Sequence, residues 1–207
     1  STKTYDPTRP PRPFELYSDF GLGLGENPVK KDEVLNSLTV AVIPIDDGEF
    51  YHFGRSSDLI KSSLRLQNLV LNQHQQHLIG VKRHPDLFVQ NACVDLKWTE
   101  KHHRIWVENS HIGSGWKLKT DHILTGIPKN DWALELPSES CLDMVPVDDD
   151  GNSLAVRVYG MNDDFRGPLG DDSTRWLGNA VSSWFTARGF SMAAAGIESG
   201  VDIQQAP

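Results

Sequence analysis

Asn109, His111 and Lys117 set an amide, an imidazole and an ammonium close together in "IWVENSHIGSGWKLKTDHILTGIP", residues 105–128. If the segment runs as a strand, alternation places Asn109 and His111 on one face. Lys117 then joins them from the next side of a coil. Amide and imidazole donors suit hydroxyl groups, and a lysine adds a charge-assisted bond to an oxyanion. That is the chemistry of binding a phosphorylated sugar. A structural role competes at Asn109, which can stack on Asn91 in an amide ladder. His111 also has a rival role, as the general base of an acyl transfer.

Other polar clusters carry less. "EFYHFGRSSDLI" places Arg55 where a helix begins, and unpaired backbone amides there favour anions. Helix capping alone accounts for the serines that follow. His74 and His77, in "HQQH", have helical i, i+3 spacing, but no third zinc ligand lies nearby in sequence, and a solvated helix end is the plainer reading. "KHHR" at 101–104 reads as a charged turn. "GLGLG" at 21–25 has the spacing GxGxG rather than GxGxxG, and Asn27-Pro28 follows almost at once, so it reads as a turn.

These groups need elements to hold them. Residues 1–13, "STKTYDPTRPPRP", form a polar, proline-rich arm or linker. Residues 14–83 carry two strands in "LTVAVIPIDDGEFYHFG", joined by a turn at Asp46, Asp47 and Gly48, and then a helix. In that helix Leu59, Ile60, Leu64, Leu66, Val70 and Leu71 recur at helical spacing, with Ser56 or Ser57 and Asp58 at its start and Gly80 as its stop. From residue 84 to 170 a repeat appears. "LFVQNACV", "IWVENSHI", "ILTGIPKN" and "CLDMVPVD" begin at Leu87, Ile105, Ile123 and Cys141, and the starts advance by 18. Three hexapeptides per coil predict a parallel β-helix, in which each coil buries its apolar edge on the next. Antiparallel strands at equal spacing are the competing arrangement. "LAVRVYG" adds a strand. Residues 171–207 hold a second helix, "DSTRWLGNAVSSWFTARG", with Trp176 and Trp184 as packing residues, and a tail. The fold class is therefore mainly β, a parallel β-helix with flanking helices.

Composition narrows the function. A net charge of −8 argues against nucleic acid as the partner. No apolar run approaches the ~20 residues that span a bilayer, and no secretory leader is visible. Cys93 and Cys141 both lie in apolar runs, which predicts two buried, reduced thiols in a cytoplasmic protein. Ser1 at the start and the drifting tail predict a piece of a longer chain.

Six segments in order, "FELYSDFGLGLGENP", "GEFYHFGRSSDLI", "FVQNACV", "WVENSHIGSGWKL", "ILTGIPKNDW" and "YGMNDDFRG", closely resemble the L-fucose-1-phosphate guanylyltransferases (GDP-fucose pyrophosphorylases), which occur alone or fused to an L-fucokinase. The resemblance covers roughly residues 14–190. It implies transfer of GMP from GTP to L-fucose 1-phosphate with release of pyrophosphate, assisted by Mg2+. It further implies that residues 14–83 end a nucleotidyltransferase-like region. The glycine-rich nucleotide loop of the wider sugar nucleotidyltransferases has no counterpart here, so the nucleotide-binding half is expected before Ser1 and a fused kinase domain after Pro207. Magnesium is expected to be held largely by residues outside this chain. Where those enzymes carry a magnesium-binding Asp before the glycine turn, this sequence has His52; Asp19 is the candidate carboxylate, with a turn-capping role as the alternative. Asn130 and Trp132 are expected to add a hydroxyl contact and an apolar face. The rival classes are a non-catalytic scaffold or carbohydrate-binding module, and a hexapeptide-repeat acyltransferase.

Overall fold

Residues 14–70, 86–151 and 153–206 are described by the computed structural model, and the chain divides into two units between Phe50 and Tyr51. The proline-rich arm, His74, His77 and Gly80 lie outside the described residues.

In the first unit, Leu16–Phe20 forms a single turn of π-helix. The Glu15 carboxylate starts it by accepting from the backbone N–H groups of Tyr17 and Ser18, at 2.8 and 2.6 Å. Gly21–Gly23 continues as a 3-10 turn, and Gly25 takes φ +94°. No α-helix follows, so "GLGLG" is a turn. The expected hairpin over 39–53 does not form. A hydrogen bond of 3.3 Å from Gly48 N–H to the Ile45 carbonyl closes the turn, but its flanks make no ladder, and Val42 is 89% exposed. Two strands with no third element to cover them are marginal in water.

The second unit opens with α1 (Ser56–Val70) and continues through β1 (Leu87–Gln90), β2 (Cys93–Val94), β3 (His103–Glu108), β4 (His111–Ile112), β5 (Thr120–Thr125) and β6 (Ser140–Pro146). These strands pair in parallel and wind a β-solenoid of about three turns. β1, β3, β5 and β6 make one side, β2 and β4 a second, and a parallel bridge between Lys117 and Glu135 marks a third. The register advances by 18 residues from Leu87 to Ile105, by 17 from Trp106 to Ile123 and by 18 from Leu124 to Leu142. The uniform 18-residue spacing thus fails at its middle step.

Each turn bends at two left-handed corners. Asn91 (φ 44°), Asn109 (φ 48°) and Gly126 (φ 68°) stack at one, and Arg104 (φ 52°), Asp121 (φ 64°) and Glu139 (φ 64°) at the other. Asparagine and glycine suit the first corner because they tolerate this conformation. At the second, the Arg104 guanidinium forks onto both Asp121 oxygens at 2.5 Å.

The side formed by β1, β3, β5 and β6 is buried on both faces, which explains runs such as "RIWVE" that do not alternate. Inward, Ile105, Val107, Leu124 and Leu142 join Ile112, Trp116 and Ile127 in the solenoid core. Outward, Phe88, Trp106, Ile123 and Cys141 pack with Ile60, presented by the apolar stripe of α1. Burying one side chain like Ile60 stabilises by roughly 1.5–3 kcal/mol.

The parallel stack stops at β7 (Leu154–Gly160), which pairs antiparallel with β6 from Ser140–Gly160 to Pro146–Leu154. The long second helix expected at 172–189 is shorter than its pattern. β8 (Arg175–Trp176) and β9 (Asn179–Ala180) form a tight hairpin, with Leu177 (φ 52°) and Gly178 (φ 72°) between them, and only α2 (Val181–Ala187) is helical. Two left-handed residues in a row set a hairpin turn that the helical spacing concealed. Trp176 and Trp184 nonetheless pack as expected, stacked at 4.5 Å, and the Trp176 indole donates to the Val158 carbonyl at 2.7 Å.

Candidate functional site

An open hollow of about 650 Å³ lies along the β2–β4 side of the solenoid, lined by Asn91, Cys93, Asn109, Ser110, His111 and Lys129. Along 91–98 the side chains alternate, so Ala92, Val94, Leu96 and Trp98 pack against the core while Asn91, Cys93 and Asp95 face outward. Parallel register then sets Cys93 opposite His111 and brings Asp95 level with Gly113. From there Asp95 Oδ2 comes within 3.2 Å of His111 Nε2.

His111 is held from two directions. Its Nδ1 accepts the Asn130 backbone N–H at 3.2 Å, so in the neutral ring Nε2 carries the proton and donates it to Asp95 Oδ2 at 3.2 Å. Asn130 is itself a four-bond clamp. Its Nδ2 donates to the carbonyls of His111 (2.9 Å) and Pro128 (2.8 Å), and its Oδ1 accepts from the Trp116 indole (2.9 Å) and the Trp132 amide (3.2 Å). The side chain of Asn130 is therefore spent on joining three segments, and Trp132 stacks on Trp116 at 6.3 Å.

Asn109 turns the corner before β4 rather than continuing a strand, yet it shares the hollow with His111. Its Oδ1 accepts from Asn91 Nδ2 at 2.6 Å, the amide ladder, while its own Nδ2 faces no partner among the described residues. Ladder and ligand contact are thus compatible. Lys117 lies elsewhere, on the third side, where its ammonium sits 3.5 Å from Glu135; both are well exposed, so the pair is weak. Arg55 is exposed just before α1, and Asp58 in the first turn of that helix is held by His52 Nδ1 at 2.7 Å. Neither Lys117 nor Arg55 lines the hollow.

Asp19, in the first unit, does not fit a magnesium ligand as placed. Its Oδ2 accepts the Glu15 N–H at 2.8 Å, and its Oδ1 pairs with the Lys30 ammonium. Both oxygens close the turn, and a cation would have to displace Lys30.

Two expectations need correction. Cys93 is exposed, because it falls on the outward phase of the 91–98 alternation; only Cys141 is buried, and burial pushes its thiol up to about 12. "KHHR" is not wholly a charged turn. His102 folds inward, accepts the Thr99 N–H on Nδ1 at 2.8 Å and meets Trp98 edge to face at 5.3 Å. Asn91, Cys93, Asp95 and Lys129 were missed as candidates, although the 18-residue offset already aligned Cys93 with His111.

A stacked β-solenoid bearing a polar hollow on one side defines the class of this chain. A family model described as the Fucose pyrophosphorylase domain matches residues 33–194, and the chain belongs to that family. Over 178 residues it is 45% identical to an L-fucokinase/L-fucose-1-P guanylyltransferase of Bacteroides fragilis, covering 86% of this chain and 18% of that protein. The chain therefore spans less than a fifth of that relative's length. No solved structure matches. Among the described residues, no helix is long and apolar enough to cross a membrane.

Proposed function

We propose that this chain is the sugar-phosphate-facing β-solenoid of an enzyme that transfers GMP from GTP to L-fucose 1-phosphate, giving GDP-L-fucose and pyrophosphate. The observation that carries the reading is the family match across nearly the whole solenoid, and the hollow at Asn109 and His111 supports it. In this reading Asn109 Nδ2 binds a sugar hydroxyl or phosphate oxygen, and the exposed Lys129 supplies the positive charge first assigned to Lys117. Asn130 and Trp132 act as positioning residues that fix His111. Transfer then depends on alignment of the sugar phosphate with the nucleotide, since the reaction asks mainly for positioning and charge neutralisation. GTP, magnesium and a fused kinase domain belong to the remainder of the parent enzyme, and its setting is the cytoplasm.

A scaffold reading is favoured by one observation, the complete use of the Asn130 amide in joining coils. Calorimetric titration with L-fucose 1-phosphate, mannose 1-phosphate and free fucose separates the readings. Saturable binding that needs the phosphate and prefers fucose is expected. Equal binding of free fucose would indicate a carbohydrate-binding module, and no binding at millimolar ligand would favour the scaffold.

A further inference from the structure

A thiol and an imidazole that line the hollow, those of Cys93 and His111, meet the carboxylate of Asp95 beside it. Cys93 Sγ, an Asp95 oxygen and a His111 ring nitrogen all lie within 4.8 Å of one another. Asp95 stands between the other two, with its Oδ1 3.8 Å from Cys93 Sγ and its Oδ2 3.2 Å from His111 Nε2. Tetrahedral ligands at ordinary zinc bond lengths stand about 3.3–3.8 Å apart. Small movements of the three side chains bring them to that spacing, and those of Cys93 and His111 border open space rather than packed core. From this arrangement we infer that Cys93, Asp95 and His111 form a zinc(II) site whose fourth position opens into the hollow.

The ligand chemistry selects the ion. Thiolate and imidazole are donors for zinc and poor ones for magnesium, which asks for six oxygens. The backbone also prepares the site. Cys93 and Asp95 share the outward phase of one segment, and His111 stands opposite Cys93 on the next coil. This inference concerns a different ion from the magnesium of the transferase reading and does not rest on that reading.

Binding has a defined proton balance. The Cys93 thiol gives up its proton to solvent as the Zn–S bond forms. Zinc takes the lone pair of His111 Nε2, so the ring proton now on Nε2 moves to Nδ1. There it faces the Asn130 N–H, which has to give way. Because the Asn130 side chain also holds the Trp116 indole, zinc binding is reported by tryptophan fluorescence.

The test is titration of the metal-free protein with Zn2+ alone, followed by fluorescence and by alkylation of Cys93. One ion per chain, a changed tryptophan signal, protection of Cys93 and persistence in millimolar Mg2+ are expected. Cys93→Ser and Asp95→Asn, both at exposed positions, are each expected to weaken binding at least tenfold while leaving the circular dichroism spectrum unchanged. A His74→Ala/His77→Ala variant is expected to bind as the parent does. Absence of saturable binding at 100 µM free zinc (about 5.5 kcal/mol by the affinity relation) overturns the inference. So does zinc binding that survives both Cys93→Ser and Asp95→Asn, or that is lost with His74 and His77.

Discussion

Replacing Gly126 with alanine tests the corner that carries the chain from β5 toward the hollow. Gly126 has φ +68°, and a Cβ built there would lie 2.2 Å from the Met144 carbonyl oxygen in β6. A left-handed backbone costs a residue with a Cβ about 1–2 kcal/mol. Forcing extra volume against a strand that cannot rotate away adds about 1–3 kcal/mol. The expected loss is about 2–5 kcal/mol. Gly178→Ala provides the control, since its φ is +72° and a Cβ there meets nothing within 4 Å. That variant should lose only the backbone part, about 1–2 kcal/mol. Urea unfolding followed by far-ultraviolet circular dichroism gives both values. The displaced corner should also loosen His111, whose N–H donates to the Ile127 carbonyl at 2.8 Å. Equal losses for the two variants would refute the claim that close stacking of successive corners, rather than conformation alone, requires glycine at 126.

Four further outcomes can be checked. Asn130→Ala should destabilise by about 1–3 kcal/mol in thermal or urea unfolding, because the buried Trp116 indole N–H loses its acceptor. Asn109→Ala should weaken L-fucose 1-phosphate binding measured by calorimetry; a loss of stability of about 1–2 kcal/mol with unchanged affinity would leave it only a ladder and corner residue. His122 is buried, with Nδ1–H donating to the Ser140 carbonyl at 2.9 Å and Nε2 accepting the Lys119 N–H at 3.2 Å, and burial lowers its pKa. The unfolded chain then binds a proton that the folded one refuses, so stability should fall as pH drops below about 6.5, by no more than about 1.4 kcal/mol per pH unit, and His122→Gln should remove that slope in urea titrations. Alkylation of the native protein at pH 8 should modify Cys93 alone, with Cys141 reacting only after unfolding.

The repeat was legible because apolar openings recur where strands must stack, and "LFVQNACV" over "IWVENSHI" fixed the register of Cys93 and His111 in advance. The single missing residue between Trp106 and Ile123 was not, since a corner can absorb it without changing the apolar pattern. "LTVAVI" and "FYHF" are rich in strand formers but join no ladder, and propensity without a ladder does not make a sheet. At 175–187 a helical spacing of tryptophans survived although a hairpin intervened, because stacked rings can meet from a strand and a helix alike. In the site, His111 and Asn109 could be found from composition and spacing. The role of Asn130 could not, because its four bonds join residues from Trp116 to Trp132 that only the coiled backbone brings together. Asp95 escaped for a related reason: its contact with His111 crosses from one coil to the next at a diagonal, while the register pairs His111 directly with Cys93.

The reversed last strand has a consequence for how such a chain changes length. A purely parallel stack presents at its end the same ladder that it uses inside, and any copy of the molecule could continue it. Because β7 runs against β6, a further coil in the same direction would meet this end antiparallel, not in the pairing the coils share. Within the stack, by contrast, each coil touches only its neighbours. Duplication or loss of a whole coil between β3 and β6 would therefore preserve both ends, whereas extension past β7 would change the sense of pairing. The fold is modular inside and reverses its pairing at one end.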